Sequence, residues 1–198
     1  MTTAEINGLE FPDREARKPM NTDVSQPPRS GTARTNGQDL YYEVHGVGPP
    51  LVLLMGIGYD SSLWTLAQVP ALSTQFRVVL VDNRDAGRSS NATYPYRIAD
   101  MADDLAGLLD ALEIPTSHLL GLSMGGMIAQ EFALRHADRL DRLVLAGTGA
   151  APARSAVDPI QIWSWVKAND STGEVFGGQQ FVSLFSTAFL RNHEAVRD

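Results

Sequence analysis

Four short, continuous apolar runs set the tightest limit on what this chain can fold into: LVLLMG from Leu51, RVVLV from Arg77, HLLGL from His118 and LVLAG from Leu143. Each has the length of a strand and shows no alternation of polar with apolar residues. That pattern suits strands buried on both faces of a parallel sheet. The segments between them carry helical signals. In RIADMADDLAGLLDALEI, Ile98, Met101, Leu105, Leu108, Leu109 and Leu112 recur at helical spacing, the acidic pair Asp103-Asp104 reads as a solvated face, and Pro115 closes the segment. SSLWTLAQVPALSTQ reads as a helix broken or kinked at Pro70, and MGGMIAQEFALRHA as a helix that follows the third run. Strands and helices alternating in short units imply an α/β fold, a mostly parallel sheet flanked by helices on both faces.

Ahead of the first run, TARTNGQDLYYEVHG places Asn36-Gly37, a strong hairpin signal, before the alternating Leu40, Tyr42 and Val44. Two antiparallel strands should therefore open the domain. Residues 1–30, with Pro12, Pro19, Pro27 and Pro28 and no sustained period, read as a disordered N-terminal leader. Residues 31–150 form the expected core. Residues 151–198 break the alternation and read as helices rich in aromatics; Trp163, Trp165, Phe176, Phe181, Phe185 and Phe189 either line an apolar pocket or pack as a helix core.

A net charge of −7 and a pI near 5.0 oppose nucleic acid or an anionic membrane as partner, since both need a basic surface. The chain has no cysteine and four scattered histidines, so thiol chemistry is excluded and no zinc-ligand spacing is present. With no basic start followed by an apolar segment, and no run long enough to span a bilayer, the expectation is a soluble chain of the reducing cytoplasm.

The third run leads into Gly121-Leu122-Ser123-Met124-Gly125 and then into a helix. Glycines flanking a serine between a buried strand and a helix permit a sharp, strained turn that lifts the hydroxyl above the sheet. The helix that begins there aims unpaired amides and a positive dipole end beside that hydroxyl, a place suited to an oxyanion. The Met124 amide is the first oxyanion donor to expect. The second should come from the loop after LVLLMG, with Ile57 the choice and Gly56 its close rival.

At these residues the chain resembles the α/β-hydrolases of the esterase, lactonase and haloperoxidase-like group. The likeness runs from about Tyr41 to Gly149 and is carried by YYEVHGVGPPLVLLMGIG, VVLVDNRDAGRSS and HLLGLSMGGMIAQEFALRHADRLDRLVLAGT. The resemblance implies that Ser123 is the acyl-accepting nucleophile, that Ile57 and Met124 form the oxyanion hole, and that residues after Ala150 begin a helical cap. It implies a small carboxylic ester or lactone as substrate, and no metal or organic cofactor. A serine here disfavours the haloalkane dehalogenases, which use aspartate. Met55-Gly56 stands where many relatives have His-Gly, which leaves the backbone donor unaffected.

The family's triad runs Ser, then Asp or Glu, then His, the last two on loops beyond the cap. Only 75 of the 198 residues follow Ser123, and they must hold its helix, the next strand and the cap. The expectation is a core that lacks the last strands and, with them, the acid and the base. His45 reads as structural, His118 as lying at the far end or side of its strand, and His136 as a helix cap, which leaves His193 as the remaining candidate base. Asp82 and Asp85 read as holding their loop through Arg84 and Arg88. Where some relatives carry the acid, this chain has Ala146-Gly147-Thr148-Gly149, and Asp158 comes much later. Leu143 to Ala146 would then be an uncovered apolar edge, open to self-association. The alternatives are a cofactor-free perhydrolase or carbon–carbon bond hydrolase, a non-catalytic binding module of the same fold, and a site completed by another chain.

Overall fold

The computed structural model describes residues 28–93 and 95–150; most of the expected leader and all of the aromatic segment after Ala150, His193 included, lie outside them. The opening hairpin pairs β1 (Arg29–Thr35) with β2 (Gln38–His45) antiparallel. Its two turn residues, Asn36 and Gly37, have φ of 47° and 76°, the left-handed conformations that an Asn-Gly hairpin turn demands. β1 starts at Arg29, so pairing begins two residues before the expected boundary.

The apolar runs become β3 (Pro50–Leu54), β4 (Arg77–Val81), β5 (Ser117–Leu122) and β6 (Leu140–Ala146) in one six-stranded sheet of order β1-β2-β4-β3-β5-β6. β3, β4, β5 and β6 pair parallel, and β2 joins β4 antiparallel. Both faces of the central strands are covered, as unbroken apolar runs require. Val52, Leu54, Val79, Val81 and Leu119 pack under the helices α2 (Ile98–Ala111) and α3 (Met124–Arg135), against Leu105, Leu109, Ile128 and Phe132. On the other face Leu51, Leu53, Val78 and Leu80 meet Trp64 and Val69. Fully burying such a side chain is worth roughly 1.5–3 kcal/mol.

The helix expected over 61–75 is two short pieces, a 3-10 turn at Ser61–Leu66 and α1 (Gln68–Leu72). Pro70 falls in the first turn of α1, where its missing N–H costs no helical bond. α2 ends before Pro115 by another device. Glu113 has φ of 53°, and the amides of Glu113 and Ile114 return to the carbonyls of Asp110 and Leu109 at 3.0 and 2.8 Å.

One expectation for α2 fails. Asp104 is 3% exposed, and its carboxylate receives Nε and Nη2 of Arg84, both at 2.7 Å. It lies one residue past the solvent-facing side of the wheel, toward the loop after β4, and a buried guanidinium there demands an anion. Asp103 faces outward and takes Arg135 at 2.6 Å. At the far edge of the sheet, Val144 and Leu145 of β6 are 51% and 44% exposed.

Candidate active site

The strand order reverses beside β3: β4 lies on one side of it and β5, the next parallel strand, on the other. In open parallel sheets the crevice outside the carboxyl ends of such neighbours is the usual place for a ligand. The loops leaving β3 and β5 at that end carry Gly56-Ile57 and Ser123.

β5 ends at Leu122 and α3 begins at Met124, so Ser123 alone turns the chain. Its φ is 54° and its ψ −119°, a conformation that a side-chain-bearing residue holds only at a cost of about 1–3 kcal/mol. The surroundings impose it. The Ser123 amide donates to the Ala146 carbonyl at 2.9 Å, and the Ser123 carbonyl accepts from Gly126 and Met127 at 2.9 and 3.2 Å. The flanking glycines serve approach rather than the turn itself: a Cβ on Gly121 would stand 2.3 Å from the Gly125 oxygen, and one on Gly125 would stand 2.2 Å from the Leu54 oxygen. The positive φ at this turn belongs to the serine and not to either flanking glycine.

The loop after β3 runs directly beside it. A Cβ on Gly56 would lie 3.2 Å from the Ser123 Cβ and 3.7 Å from its Oγ, so the Gly56-Ile57 backbone borders the hydroxyl. Ile57 is half-buried against the core, and Met124, at the first position of α3, is buried. Amides in a helix's first turn have no carbonyl one turn behind them. Expected site residues Ser123, Ile57 and Met124 are thus neighbours at one end of the sheet.

The acids at this end are committed elsewhere. Asp82, fully buried, accepts from the Ser61 amide at 2.9 Å and hydroxyl at 2.5 Å, and from the Arg88 amide and Nε, both at 2.9 Å. Burial pushes its carboxyl upward, but Arg88, Ser61 and those two amides outweigh it and hold Asp82 below its ordinary value. Arg88 also reaches Glu43 at 2.7 Å and lies 3.7 Å above the Tyr41 ring. Asp85 accepts from the Ala92 amide at 2.8 Å. The expected pairing therefore holds for Asp82 with Arg88, whereas Arg84 turns to Asp104.

The three described histidines lie at the opposite end of the sheet. His45 is opposite Val78, Val78 opposite Leu51, and Leu51 opposite His118, one row across the amino ends of β3, β4 and β5. His118 and Ser123 stand five positions apart along the strand direction, roughly 16 Å. His45 contacts Glu43 at 2.9 Å and His118 contacts Asp141 at 3.1 Å. His136, the C-cap residue of α3 as expected, sets its ring on Asp103 at 2.9 Å. Composition and spacing also passed over two residues at the site end, Ser61 and Asn83; the Asn83 amide donates to the Met55 carbonyl at 3.1 Å.

A strained serine at a strand-to-helix turn, facing the loop after a central parallel strand, defines a class of α/β protein built around that serine. The chain belongs to the alpha/beta hydrolase fold family, whose model matches residues 49–197. It is similar to a "Putative carbamate hydrolase RutD" of Caulobacter sp. (strain K31), 41% identical over 119 residues that make up 57% of this chain and 44% of the relative. Among solved structures, a hydrolase from Pseudomonas aeruginosa PA01 superposes with TM-score 0.67 at 36% identity, over 84% of this chain and 63% of that one. The enol-lactonase from Burkholderia xenovorans LB400 also gives TM-score 0.67, at 34% identity over 84% and 64%. The match to the curated relative thus covers less than half of that protein's length.

Proposed function

We propose that this chain carries the nucleophile and oxyanion hole of a serine hydrolase acting on a small, mostly apolar carboxylic ester or lactone. Ser123 Oγ bonds to the substrate carbonyl carbon as a base takes its proton. The carbonyl oxygen becomes an oxyanion held by the amides of Ile57 and Met124, and the C–O bond to the leaving group breaks as that oxygen is protonated. Water then returns the acid and frees the serine. The chemistry needs no metal or organic cofactor. The observation that carries this reading is the strained Ser123 with the Gly56 backbone against it, since strain of this kind persists where the surroundings over-determine it for a task. The likeness to a named lactonase and a named carbamate hydrolase supports an acyl carbonyl as the electrophile.

A second reading, a binding module of the same fold, has its own support. Among the described residues, His45, His118 and His136 all lie at the end of the sheet away from Ser123, and Asp82 is saturated. Intact-mass analysis after exposure to a fluorophosphonate separates the two. Hydrolysis predicts one adduct on the wild-type chain and none on Ser123→Ala. A folded wild-type chain that takes up no adduct would favour the binding module.

A further inference from the structure

The loop between β3 and the 3-10 turn at Ser61 is tied down at both ends by consecutive residues of another loop. Asn83 donates its side-chain amide to the Met55 carbonyl at 3.1 Å, and Asp82 holds the amide and hydroxyl of Ser61. Between these anchors lies Gly56-Ile57, the backbone that borders Ser123.

Asn83 is 7% exposed, and a buried amide costs free energy unless it is bonded. A carbonyl only accepts, so the bond to Met55 fixes which way the asparagine faces. The bond also fixes the peptide. In a trans peptide C=O and N–H point in opposite directions, so directing the Met55 carbonyl to Asn83 directs the Gly56 amide the other way. The next peptide is set in turn, because the Gly56 carbonyl accepts from the Tyr59 amide at 3.5 Å, which turns the Ile57 amide out of that bend. The 3.5 Å bond is long, so the Asn83 anchor carries the larger share of this orientation. From beneath, α3 presses on the same segment: a Cβ on Gly125 would stand 2.8 Å from the Met55 oxygen.

We infer that Asn83 is a positioning residue for the oxyanion hole, acting through the Met55 carbonyl to fix the Gly56-Ile57 backbone and so set the Ile57 amide beside Ser123. This rests on the hydrolase reading for its catalytic consequence, but the geometry it describes is independent of turnover. Asp82 fixes the other end of the loop, so the Asp82-Asn83 pair after β4 sets the shape of a site to which it contributes no reacting atom.

The test uses the full chain and two readouts. Amide hydrogen exchange by NMR follows Gly56, Ile57 and Tyr59, with Leu105 to Leu109 of α2 as the internal reference, and fluorophosphonate kinetics follow Ser123. In Asn83→Leu, exchange at Tyr59, whose amide is bonded to the Gly56 carbonyl, should rise about tenfold with α2 unchanged. The limiting rate of phosphonylation should fall about tenfold or more at unchanged half-saturating reagent, because an oxyanion donor moved out of line is felt only in the transition state. Asn83→Ser, too short to reach Met55, gives the same comparison should the leucine variant not fold. Unchanged loop exchange in a folded variant overturns the inference. So does faster exchange with an unchanged phosphonylation rate, which would make the bond structural alone. A wild-type chain that is not phosphonylated overturns the hydrolase reading instead, and Tyr59 exchange then decides whether Asn83 sets the loop.

Discussion

Ser123 holds a conformation that glycine would adopt freely, and among the described residues its hydroxyl makes no hydrogen bond that offsets the strain. At φ 54° and ψ −119° the Cβ crowds the neighbouring peptides, and the bonds from Ser123 to Ala146, Gly126 and Met127 are backbone bonds that any residue would make. Ser123→Gly should therefore stabilise the fold by about 1 kcal/mol, the relief of strain less the extra entropy of an unfolded glycine. Ser123→Ala keeps the Cβ and should leave stability within about 0.5 kcal/mol of wild type. Urea unfolding of the three proteins checks this, and a glycine variant no more stable than the alanine one would show that the turn is unstrained. The turn was legible in the sequence because Gly-x-Ser-x-Gly stood between an apolar run and a helical period. The residue bearing its strain was not, since flanking glycines are the usual carriers of positive φ, and only close approach to Leu54 reveals their other use. Asn83 was invisible for a simpler reason. Its partner is a main-chain carbonyl 28 residues away, and a carbonyl leaves no mark in the sequence.

At the level of elements, α3 reaches the sheet by losing side chains. Gly125 rests on the carbonyls of Leu54 and Met55, while Gly126, one residue on, faces the Thr148 side chain, with its atoms 2.5 to 2.8 Å from the place of a Cβ. A methyl on Gly125 must push back the main chain of a central strand. One on Gly126 must shift a side chain in the loop after β6. The helix propensity gained, about 1 kcal/mol in either case, is the same. Gly125→Ala should then cost more than Gly126→Ala, by about 2 kcal/mol or more, since overpacking against fixed backbone is relieved only by moving the element. Chemical denaturation of both variants measures the gap; equal costs would mean that α3 can slide on β3. The same logic separates what was readable among the elements. Unbroken apolar runs announced strands covered on both faces, and Asn36-Gly37 announced its hairpin. The acidic face of α2 misled, because Asp104 is indistinguishable from Asp103 until Arg84 arrives from a loop 20 residues earlier.

Across the molecule, acid should weaken the carboxylate–guanidinium hub at the end of the sheet that carries Ser123. Asp82 and Arg88 join the loop after β4 to Ser61, and Arg88 continues to Glu43 of β2, so one guanidinium links three segments. Burial raises the Glu43 carboxyl, yet bonds from Arg88, His45 and Tyr41 together hold it below its ordinary 4.5, as Asp82 is held below 3.8. Arg135, against burial and with help from His136, lowers Asp103 on the helix side. A carboxylate whose folded value is depressed contributes stability that is whole above its unfolded value and is lost as pH falls through the folded one. Asp104 opposes the trend, since burial raises it and Arg84 draws it only part of the way back. The chain also passes from net negative to net positive near its pI of 5.0, a self-repulsion that two proteins differing by one charge share almost entirely. Comparing wild type with Asp82→Asn therefore isolates the one carboxylate. Asp82→Asn should be clearly the less stable near neutral pH, and the difference should shrink as the pH is taken from about 6 to about 3, because wild-type Asp82 gains its proton and the asparagine has none to gain. A difference that stays constant over that range would mean that Asp82 is worth no more charged than neutral, and that the Arg88 hub is held by shape.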